Sequence, residues 1–256
     1  MRVAILCGGF GTRLREETEV RPKPMVEIGG MPILWHILKI YSAYGIHDFV
    51  ICCGYKAHMI KEYFANYFLY CADVTFDMEH NKMEVHQKFA EPWRVTLIDT
   101  GAETMTGGRL KRAKPYVGNE SFCFTYGDGV SDVNVAKLIE FHKKQKLTAT
   151  VTAMRHPSRF GILKISDKHR VDSFAEKPLE EAGWMNSGFF VMEPAIFDLI
   201  DGDSTILERE PLHRLVEKNQ LAAYQHEGFF MGMDSVREKN VLEELWNADK
   251  APWKVW

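Results

Sequence analysis

Short apolar runs alternate with segments of helical periodicity over the first 145 residues, and this alternation limits the fold more than any other feature of the chain. Buried strands are predicted at residues 3–7, 49–53, 95–99 and 122–126. The helical segments are predicted at residues 32–44, 59–68, 108–116 and 134–144. Strands that alternate with helices form parallel pairs joined by crossover connections. We therefore expect an α/β fold with a doubly wound, mainly parallel sheet and helices on both faces.

The order of the predicted elements changes in the second part of the chain. Strands are predicted at residues 149–154, 161–165 and 170–176 with only turns between them, and a further strand at residues 188–192. Helices are predicted at residues 195–200, 207–219 and 238–249. This pattern favours a mixed sheet with a small β-rich extension. Because no long Pro-, Gly- or Ser-rich linker interrupts the chain, we expect one domain over residues 1–256 with halves that meet near residue 145.

Composition excludes several classes of protein. The 32 Lys and Arg residues against 35 Asp and Glu residues give a net charge of −3, which argues against a nucleic-acid-binding or membrane-binding protein. No apolar run approaches 18 residues, and the apolar run at the N-terminus is too short for a signal peptide. The five cysteines include no C-x-x-C pair, and four of them lie in predicted strands. We expect buried, reduced thiols in a cytoplasmic protein.

A glycine-rich run, residues 8–14 (GGFGTRL), follows the first predicted strand directly. Glycines at such a position let backbone N–H groups approach a phosphate closely. A dinucleotide-binding G-x-G-x-x-G loop needs a third glycine where Leu14 stands, which argues against a nicotinamide oxidoreductase. A P-loop needs Lys directly after its second glycine, and this chain has none there. Cations occur instead at Arg13 and at Lys23, which two prolines flank, and this arrangement favours a polyphosphate ligand.

The glycine run and residues 21–25 (RPKPM) belong to a set of motifs that extends along the full chain. The set also includes residues 26–30 (VEIGG), 126–129 (YGDG), 174–178 (FAEKP) and 186–188 (NSG). With these motifs the sequence resembles the sugar-1-phosphate nucleotidyltransferase family. The resemblance implies a Rossmann-like nucleotidyltransferase fold. It also implies that residues 1–145 bind the nucleotide, and that residues 146–256 bind the sugar phosphate and end in a helix.

Other segments resemble the cytidylyl branch of that family. These are Trp93 and residues 104–110 (TMTGGRL), 233–235 (MDS) and 250–254 (KAPWK). The resemblance implies transfer of a cytidylyl group from CTP to α-D-glucose 1-phosphate, with CDP-glucose and pyrophosphate as products and Mg²⁺ as the cofactor. It further implies a role in deoxysugar and polysaccharide biosynthesis and assembly into a homo-oligomer.

The resemblance also assigns roles to individual residues. Arg13 and Lys23 are expected to be catalytic, since they would neutralise the charge that moves to the leaving pyrophosphate. The residues expected to contact the nucleotide are Leu6, Gly8, Gly9, Gly11, Thr12, Arg13, Lys23, Thr104, Arg109 and Asp128. Those expected to contact the sugar phosphate are Tyr126, Glu176, Lys177, Asn186 and Gly188. Asp128 and Asp234 are expected to hold Mg²⁺, an ion that binds carboxylates together with substrate phosphates.

Two alternatives remain at this point. One is a uridylyl- or thymidylyltransferase that acts on another sugar 1-phosphate, because backbone carbonyls could accept the cytosine amine without leaving a trace in the sequence. The other is a catalytically silent nucleotide-sugar-binding protein, which is disfavoured by the joint presence of Arg13, Lys23, Asp128, Lys177 and Asp234. The sequence also leaves open whether Trp246, Trp253 and Trp256 serve packing or function.

Overall fold

The computed structural model describes residues 1–88, 90–155, 162–165, 170–175 and 183–256. The strands are β1 (Val3–Cys7), β2 (Glu27–Ile28), β3 (Met31–Pro32), β4 (Asp48–Cys53), β5 (Ala72–Asp77), β6 (Lys82–Lys88), β7 (Arg94–Asp99), β8 (Phe122–Tyr126), β9 (Gly129–Ser131), β10 (Ala149–Arg155), β11 (Ile162–Ile165), β12 (Val171–Ala175), β13 (Trp184–Met192), β14 (Leu221–His226) and β15 (Phe230–Gly232). The α-helices are α1 (Arg15–Thr18), α2 (Ile33–Ser42), α3 (Ala57–Tyr70), α4 (Thr106–Val117), α5 (Val135–Gln145), α6 (Glu210–Glu217) and α7 (Val236–Asn247). Single 3₁₀ turns span Thr12–Leu14, Lys23–Met25 and Pro194–Leu199.

Seven strands form the central sheet in the order β14-β10-β13-β8-β1-β4-β7. Strand β1 pairs in parallel with β4 and β8, and β4 pairs in parallel with β7. Strand β13 runs antiparallel to both β8 and β10, whereas β10 and β14 are parallel. The prediction of a mixed, mainly parallel sheet is therefore confirmed. Because β13 pairs with β8, the sheet continues from the first 145 residues into the second part of the chain.

Helices cover both faces of the sheet, as the continuous apolar run of β1 requires. All five residues of β1 are buried, and they alternate between two clusters of core residues. Val3, Ile5 and Cys7 belong to the cluster that includes helix α2, whereas Ala4 and Leu6 belong to the cluster that includes helix α4. A strand buried on both faces is typical of a doubly wound fold.

The C-terminal tryptophans contribute to the first of these two clusters. The side chain of Trp253 is fully buried, and its ring stacks on Trp246 with 6.4 Å between centroids. The ring of Trp246 contacts the edge of His36 at 4.7 Å. Burial lowers the pKa of His36 to about 4, so the imidazole is neutral inside this cluster at pH 7. Trp253 is therefore a core residue, which answers the question that the sequence left open for it.

The structure adds elements that hydrophobic periodicity did not predict. Strands β5 and β6 form an antiparallel hairpin, and β14 lies at one edge of the central sheet. The segment predicted as a helix at residues 195–200 is the 3₁₀ turn Pro194–Leu199, and α6 begins at Glu210 instead of residue 207. The β-rich extension divides into strands that join the central sheet and the separate antiparallel pair β11–β12.

All five cysteines carry free thiols, and four of them are buried. Burial raises the pKa of Cys53 to about 12 and that of Cys123 to about 12, so both are protonated and inert at pH 7. In the described parts of the chain, no helix is long and apolar enough to cross a membrane.

Candidate active site

A pocket lies at the carboxyl ends of β1 and β8. Ligands of open α/β sheets bind at this end of the strands, because the loops that follow the strands diverge there. The lining consists of Leu6, Cys7, Gly9, Gly11, Thr12, Lys23, Pro24, Gly127, Asp128 and Asp234. This set includes seven of the residues predicted to bind nucleotide or metal.

The glycine loop borders the pocket, and close packing explains two of its three glycines. A Cβ atom on Gly8 would lie 2.0 Å from Nη1 of Arg109, and one on Gly11 would lie 2.7 Å from Cγ2 of Thr18. Gly11 also has a φ of +65°, which favours glycine. Among the described residues other than its two chain neighbours, no atom lies within 4 Å of a Cβ on Gly9. Packing against these residues therefore does not require glycine at position 9, where the loop faces the pocket.

Lys23 brings together the two carboxylates of the pocket. Its Nζ donates to Oδ2 of Asp128 at 2.6 Å and to Oδ1 of Asp234 at 2.7 Å. The lysine side chain is 11% exposed, whereas the carboxylates are 36% and 31% exposed. Burial by itself lowers the pKa of Lys23, but the charge of Asp128 and the hydrogen bonds to both carboxylates outweigh it. The pKa of Lys23 therefore lies above its ordinary value, and the ammonium is charged at pH 7.

A small antiparallel pair of strands explains how carboxylates so distant in sequence meet. Strand β9 follows Asp128 and strand β15 precedes Asp234, and the two strands pair with Gly129 opposite Gly232. The backbone N–H of Met233 donates to the carbonyl of Asp128 at 2.8 Å and closes the pair. The pairing therefore brings the two carboxylates within reach of the same ammonium.

A capping box at the start of α7 fixes the backbone at Asp234. Ser235 is the N-cap, and its hydroxyl accepts from the N–H of Glu238 at 3.4 Å. The Glu238 carboxylate in turn accepts from the N–H of Asp234 at 2.8 Å. Such reciprocal bonds satisfy N–H groups at a helix start. The S-x-x-E spacing at residues 235–238 is a sequence signal for this support that our sequence analysis missed.

Arg109 lies behind the glycine loop and is almost completely buried. Its Nη1 donates to Oγ1 of Thr100 and to the carbonyl of Gly101, both at 2.7 Å. Its Nη2 donates to the carbonyl of Ala102 at 2.9 Å. The guanidinium thus holds the segment that follows β7 and packs against Gly8. Among the described residues, the pocket lining does not include Arg109, Thr104 or Gly8.

Helix α4 begins where two glycines pack against a neighbouring segment. A Cβ on Gly107 would lie 2.8 Å from the carbonyl oxygen of Thr205, and one on Gly108 would lie 2.5 Å from Cα of Asp203. The N–H groups of Met105 and Gly107 donate to the carbonyls of Asp203 and Thr205. The glycines of the predicted nucleotide segment at residues 104–110 therefore have a packing role.

Tyr126 is the centre of a polar cluster beside the pocket. Its hydroxyl donates to Oε1 of Glu208, and Asn186 also hydrogen-bonds to this hydroxyl. Oε2 of Glu208 accepts from the hydroxyl of Thr106 at 2.6 Å. Burial, followed by the charge of Glu208, raises the pKa of Tyr126 well above its ordinary value. The hydroxyl therefore keeps its proton.

Gly188 completes this cluster, which we call the Tyr126 cluster and define as Thr106, Tyr126, Asn186, Gly188 and Glu208. Gly188 has a φ of +81°, and a Cβ there would lie 2.6 Å from the Tyr126 ring. Its N–H donates to Oδ1 of Asn186 at 2.8 Å. Three residues predicted to contact the sugar phosphate, Tyr126, Asn186 and Gly188, thus lie together.

Sequence reasoning missed Glu208, although this residue joins two parts of the Tyr126 cluster. The run at residues 208–211 (EREP) reads as the solvated start of a helix, so no local signal distinguishes Glu208 from an ordinary surface glutamate. Glu176, Lys177 and the side chain of Arg13 lie outside the described part of the structure. Their predicted roles therefore stay predictions.

The donor set at Asp128 and Asp234 fits a hard divalent cation. Mg²⁺ in phosphate-transfer sites binds through one or two carboxylates, substrate phosphates and water, not through a complete protein cage. In the described parts of the chain, no group of three or more His, Cys, Asp or Glu residues could hold a metal ion. Two carboxylates beside a pocket are compatible with an ion that arrives together with phosphate oxygens.

Comparison with known proteins shows the family and the fold to which this chain is similar. A model of the nucleotidyl transferase family matches residues 2–235. The chain is 57% identical to a glucose-1-phosphate cytidylyltransferase of Salmonella typhi, over 100% of both proteins. It is 41% identical to a probable glucose-1-phosphate cytidylyltransferase of Bacillus subtilis, also over 100% of both. The solved structure of HddC from Yersinia pseudotuberculosis has the same fold, with a TM-score of 0.69 at 23% identity over 96% of this chain and 99% of that one.

Proposed function

This chain belongs to the nucleotidyl transferase family, and we propose that it transfers a cytidylyl group from CTP to α-D-glucose 1-phosphate. The products are CDP-glucose and pyrophosphate. The observation that carries this proposal is the 57% identity to the Salmonella typhi enzyme over the full length of both chains. The pocket supports the same reaction class, since it places a cation and two carboxylates next to a glycine loop.

The reaction needs alignment and charge neutralisation more than it needs a nucleophilic side chain. A phosphate oxygen of glucose 1-phosphate attacks the α-phosphorus of CTP, and a new P–O bond forms. The bond from that phosphorus to the bridging α–β oxygen breaks, and pyrophosphate leaves with the electron pair. Both reactants are anions, so positioned cations and N–H donors supply most of the rate enhancement.

The glycine loop is the proposed cradle of the triphosphate. Gly9 supports this role, because its described neighbours beyond the adjacent residues leave the space open where a side chain would be. A phosphate that approaches the backbone closely would explain the glycine, as it does in other phosphate-binding loops. Leu6 lies in β1 and Gly8 directly follows that strand. Gly11 and Thr12 lie in the turn that Leu14 N–H closes by donating to the carbonyl of Gly11 at 2.9 Å.

Lys23 and Arg13 are the proposed cations for the leaving pyrophosphate. Lys23 is charged and lines the pocket, so its ammonium can bind the phosphate oxygens on which charge develops. Asp128 and Asp234 are the residues that would hold Mg²⁺. The bound ion would draw charge from the phosphate oxygens and make the α-phosphorus more electrophilic.

The Tyr126 cluster is the proposed wall of the sugar site, together with Glu176 and Lys177. Tyr126 and Asn186 present hydroxyl and amide groups that suit the hydroxyls of a hexose. Gly188 lets the backbone pack directly against the tyrosine ring, since a Cβ there would lie 2.6 Å from the ring. Lys177 is proposed to bind the phosphate of the sugar, and Glu176 to accept hydrogen bonds from its hydroxyls.

The segment at residues 104–109 is the proposed wall for cytosine. Thr104 is buried, and Arg109 holds the preceding carbonyls of Gly101 and Ala102 in place. Thr104 and Arg109 are therefore proposed to define the nucleotide site. The amine of cytosine needs an acceptor, whereas uracil and thymine present a carbonyl at the same position and need a donor.

A substrate panel tests the proposal. The four nucleoside triphosphates and dTTP are each combined with several sugar 1-phosphates, and pyrophosphate release is measured. We expect the highest kcat/KM for CTP with glucose 1-phosphate. A higher kcat/KM for UTP or dTTP would contradict the cytidylyl assignment, and absence of turnover with every pair would favour a silent nucleotide-sugar-binding protein.

We also propose that the chain forms a homo-oligomer. The hairpin β5–β6 supports this proposal, because it carries the exposed apolar side chains Phe76, Met78 and Met83. Clustered apolar side chains at a protein surface are typical of an interface. Light scattering should therefore report at least twice the chain mass of 29.5 kDa, and a mass equal to that of one chain would contradict the proposal.

A further inference from the structure

The position that a metal ion would take between Asp128 and Asp234 already contains a positive charge. Nζ of Lys23 donates to one oxygen of each carboxylate, at 2.6 and 2.7 Å. These three side chains together carry a net charge of −1, and without the lysine they would carry −2. A second cation bound between the same carboxylates would repel the ammonium strongly, since unlike bulk water this partly buried site screens charges weakly.

The lysine is held in this position from two directions. Pro22 and Pro24 flank Lys23 in a buried 3₁₀ turn, so its backbone has little freedom. Its long side chain reaches across the pocket to strand ends that the β9–β15 pairing fixes. Only the four-carbon side chain can therefore move, and it can turn toward phosphate oxygens that enter the same pocket.

We propose that Lys23 acts as an internal counter-ion which occupies the divalent metal position of the nucleotide-free site. This inference rests on the proposed function, because it assumes that the pocket receives a nucleoside triphosphate with a divalent cation. Phosphate oxygens give the ammonium new partners, and Lys23 then releases the two carboxylates to the metal. The protein alone thus binds the metal weakly, and metal and nucleotide bind cooperatively.

The Lys23 counter-ion would prevent a metal ion from occupying the site when no substrate is bound. A divalent cation that approaches the nucleotide-free pocket must displace Lys23 and leave the ammonium without its two partners. With a triphosphate present, the same displacement moves Lys23 onto oxygens that also need a cation. The difference between the two situations is a coupling free energy between metal and nucleotide, and it is reciprocal.

The test measures Mn²⁺ binding to the nucleotide-free, full-length protein by the electron paramagnetic resonance signal of free Mn²⁺. Lys23→Met removes the ammonium and retains most of the side-chain volume. Lys39→Met is the matched control, since Lys39 is also mostly buried, at 16% exposure, and pairs with Glu91 at 2.9 Å away from the pocket lining. Both variants change the net charge by the same amount.

We expect Lys23→Met to bind one Mn²⁺ per chain about tenfold more tightly than wild type, or tighter still, since a full charge next to the ion is removed. Lys39→Met should bind like wild type. Adding Asp128→Asn to Lys23→Met should abolish the gain, which assigns the new affinity to the carboxylate pair. Equal or weaker Mn²⁺ binding by Lys23→Met would overturn the proposal.

Thermal unfolding gives a second readout and controls for folding. Without the ammonium, Asp128 and Asp234 repel each other, so Mn²⁺ should raise the Tm of Lys23→Met more than that of wild type. If Lys23→Met does not fold, Lys23→Gln is measured with the same expectations and the same contradicting result. Neither experiment contains CTP or a sugar phosphate. A wrong nucleotide assignment would therefore leave these results intact, and a failure here would leave the substrate panel valid.

Discussion

Two cationic side chains lie next to the glycine loop, and they differ in the partners that hold them. Lys23 lines the pocket and donates to two carboxylates. Arg109 lies behind the loop and donates to the hydroxyl of Thr100 and to the carbonyls of Gly101 and Ala102. Both are mostly buried, so burial alone does not separate a cation that serves a ligand from one that serves the fold.

The hydrogen-bond acceptors of Lys23 and Arg109 distinguish their roles. Carboxylates can exchange a lysine for a metal ion, because either cation neutralises them. Backbone carbonyls that lose a buried guanidinium are left without a hydrogen bond, which costs about 1–3 kcal/mol for each group. Lys23 therefore suits exchange with substrate, whereas Arg109 suits a fixed support for the loop and for the segment after β7.

The largest effect is expected from Asp128→Asn, which changes one of the two carboxylates that can exchange Lys23 for a metal ion. This change keeps the shape of the side chain and removes its charge, so the fold should persist while the metal position is lost. Activity should fall by about 10²-fold or more, because a positioned metal ion supplies several kcal/mol of charge stabilisation. Steady-state kinetics at saturating Mg²⁺ is the measurement. Near-normal turnover would remove Asp128 from the proposed metal site.

The next effect separates the two lysines that are proposed to bind phosphate. Lys23→Ala should lower kcat with a modest change in the KM for sugar, because the charge on the leaving pyrophosphate grows in the transition state. Lys177→Ala should mainly raise the KM for glucose 1-phosphate. Each change should amount to roughly 10- to 150-fold, the range of a lost charge-assisted contact.

Steady-state kinetics on Lys23→Ala and Lys177→Ala, with one substrate varied at a time, checks both predictions. The comparison fails if Lys177→Ala weakens CTP more than glucose 1-phosphate. It also fails if Lys23→Ala leaves kcat unchanged, since Lys23 would then belong with Arg109 as a structural cation.

A smaller effect, on stability, should distinguish two neighbouring glycines. A side chain at Gly8 would overlap the guanidinium of Arg109, which three hydrogen bonds hold in place. Gly8→Ala should therefore lower the free energy of unfolding by about 1–3 kcal/mol. A Cβ at Gly9 would meet none of the described residues beyond its chain neighbours, so the Tm of Gly9→Ala should match wild type while its kcat/KM for CTP falls. Calorimetry on both variants is the check, and an equal loss of Tm would contradict the packing argument.

The smallest effect is expected at Tyr126. Tyr126→Phe removes the hydroxyl that donates to Glu208 and keeps the ring that packs on Gly188. The proposed hydrogen bond between this hydroxyl and a hydroxyl of the sugar is neutral and would contribute about 0.5–1.5 kcal/mol, so the KM for glucose 1-phosphate should rise by roughly two- to tenfold. The KM for CTP serves as the internal control. A rise confined to the KM for CTP would place the Tyr126 cluster outside the sugar site.

The core of the fold was predictable from the sequence, because its strands are buried on both faces. Such strands are continuous apolar runs, as in β1 and β4, and the helices between them have clear periodicity. The hairpin β5–β6 escaped prediction because most of its described side chains are exposed and polar. Strand β14 escaped because its alternation is weak, with two adjacent alanines in a six-residue strand.

The glycine loop and Lys23 were predicted as a phosphate site from the residues themselves, whereas the roles of the two carboxylates were predicted through the family resemblance. Asp128 and Asp234 lie 105 and 211 positions after Lys23, so no local sequence pattern relates the three residues. The short β9–β15 pair brings them together, and three-residue strands give little signal in a sequence. Arg109 was predicted to contact nucleotide, but the sequence could not show that its guanidinium binds backbone carbonyls behind the loop.

A crystal structure with Mg²⁺ and a non-hydrolysable CTP analogue tests the central comparison most directly. We expect Nζ of Lys23 to leave at least one of its carboxylates and to lie within hydrogen-bonding distance of a phosphate oxygen. The guanidinium of Arg109 should keep its bonds to Thr100, Gly101 and Ala102. The comparison is contradicted if Lys23 retains both carboxylates with the nucleotide bound, or if Arg109 abandons the carbonyls and turns into the pocket.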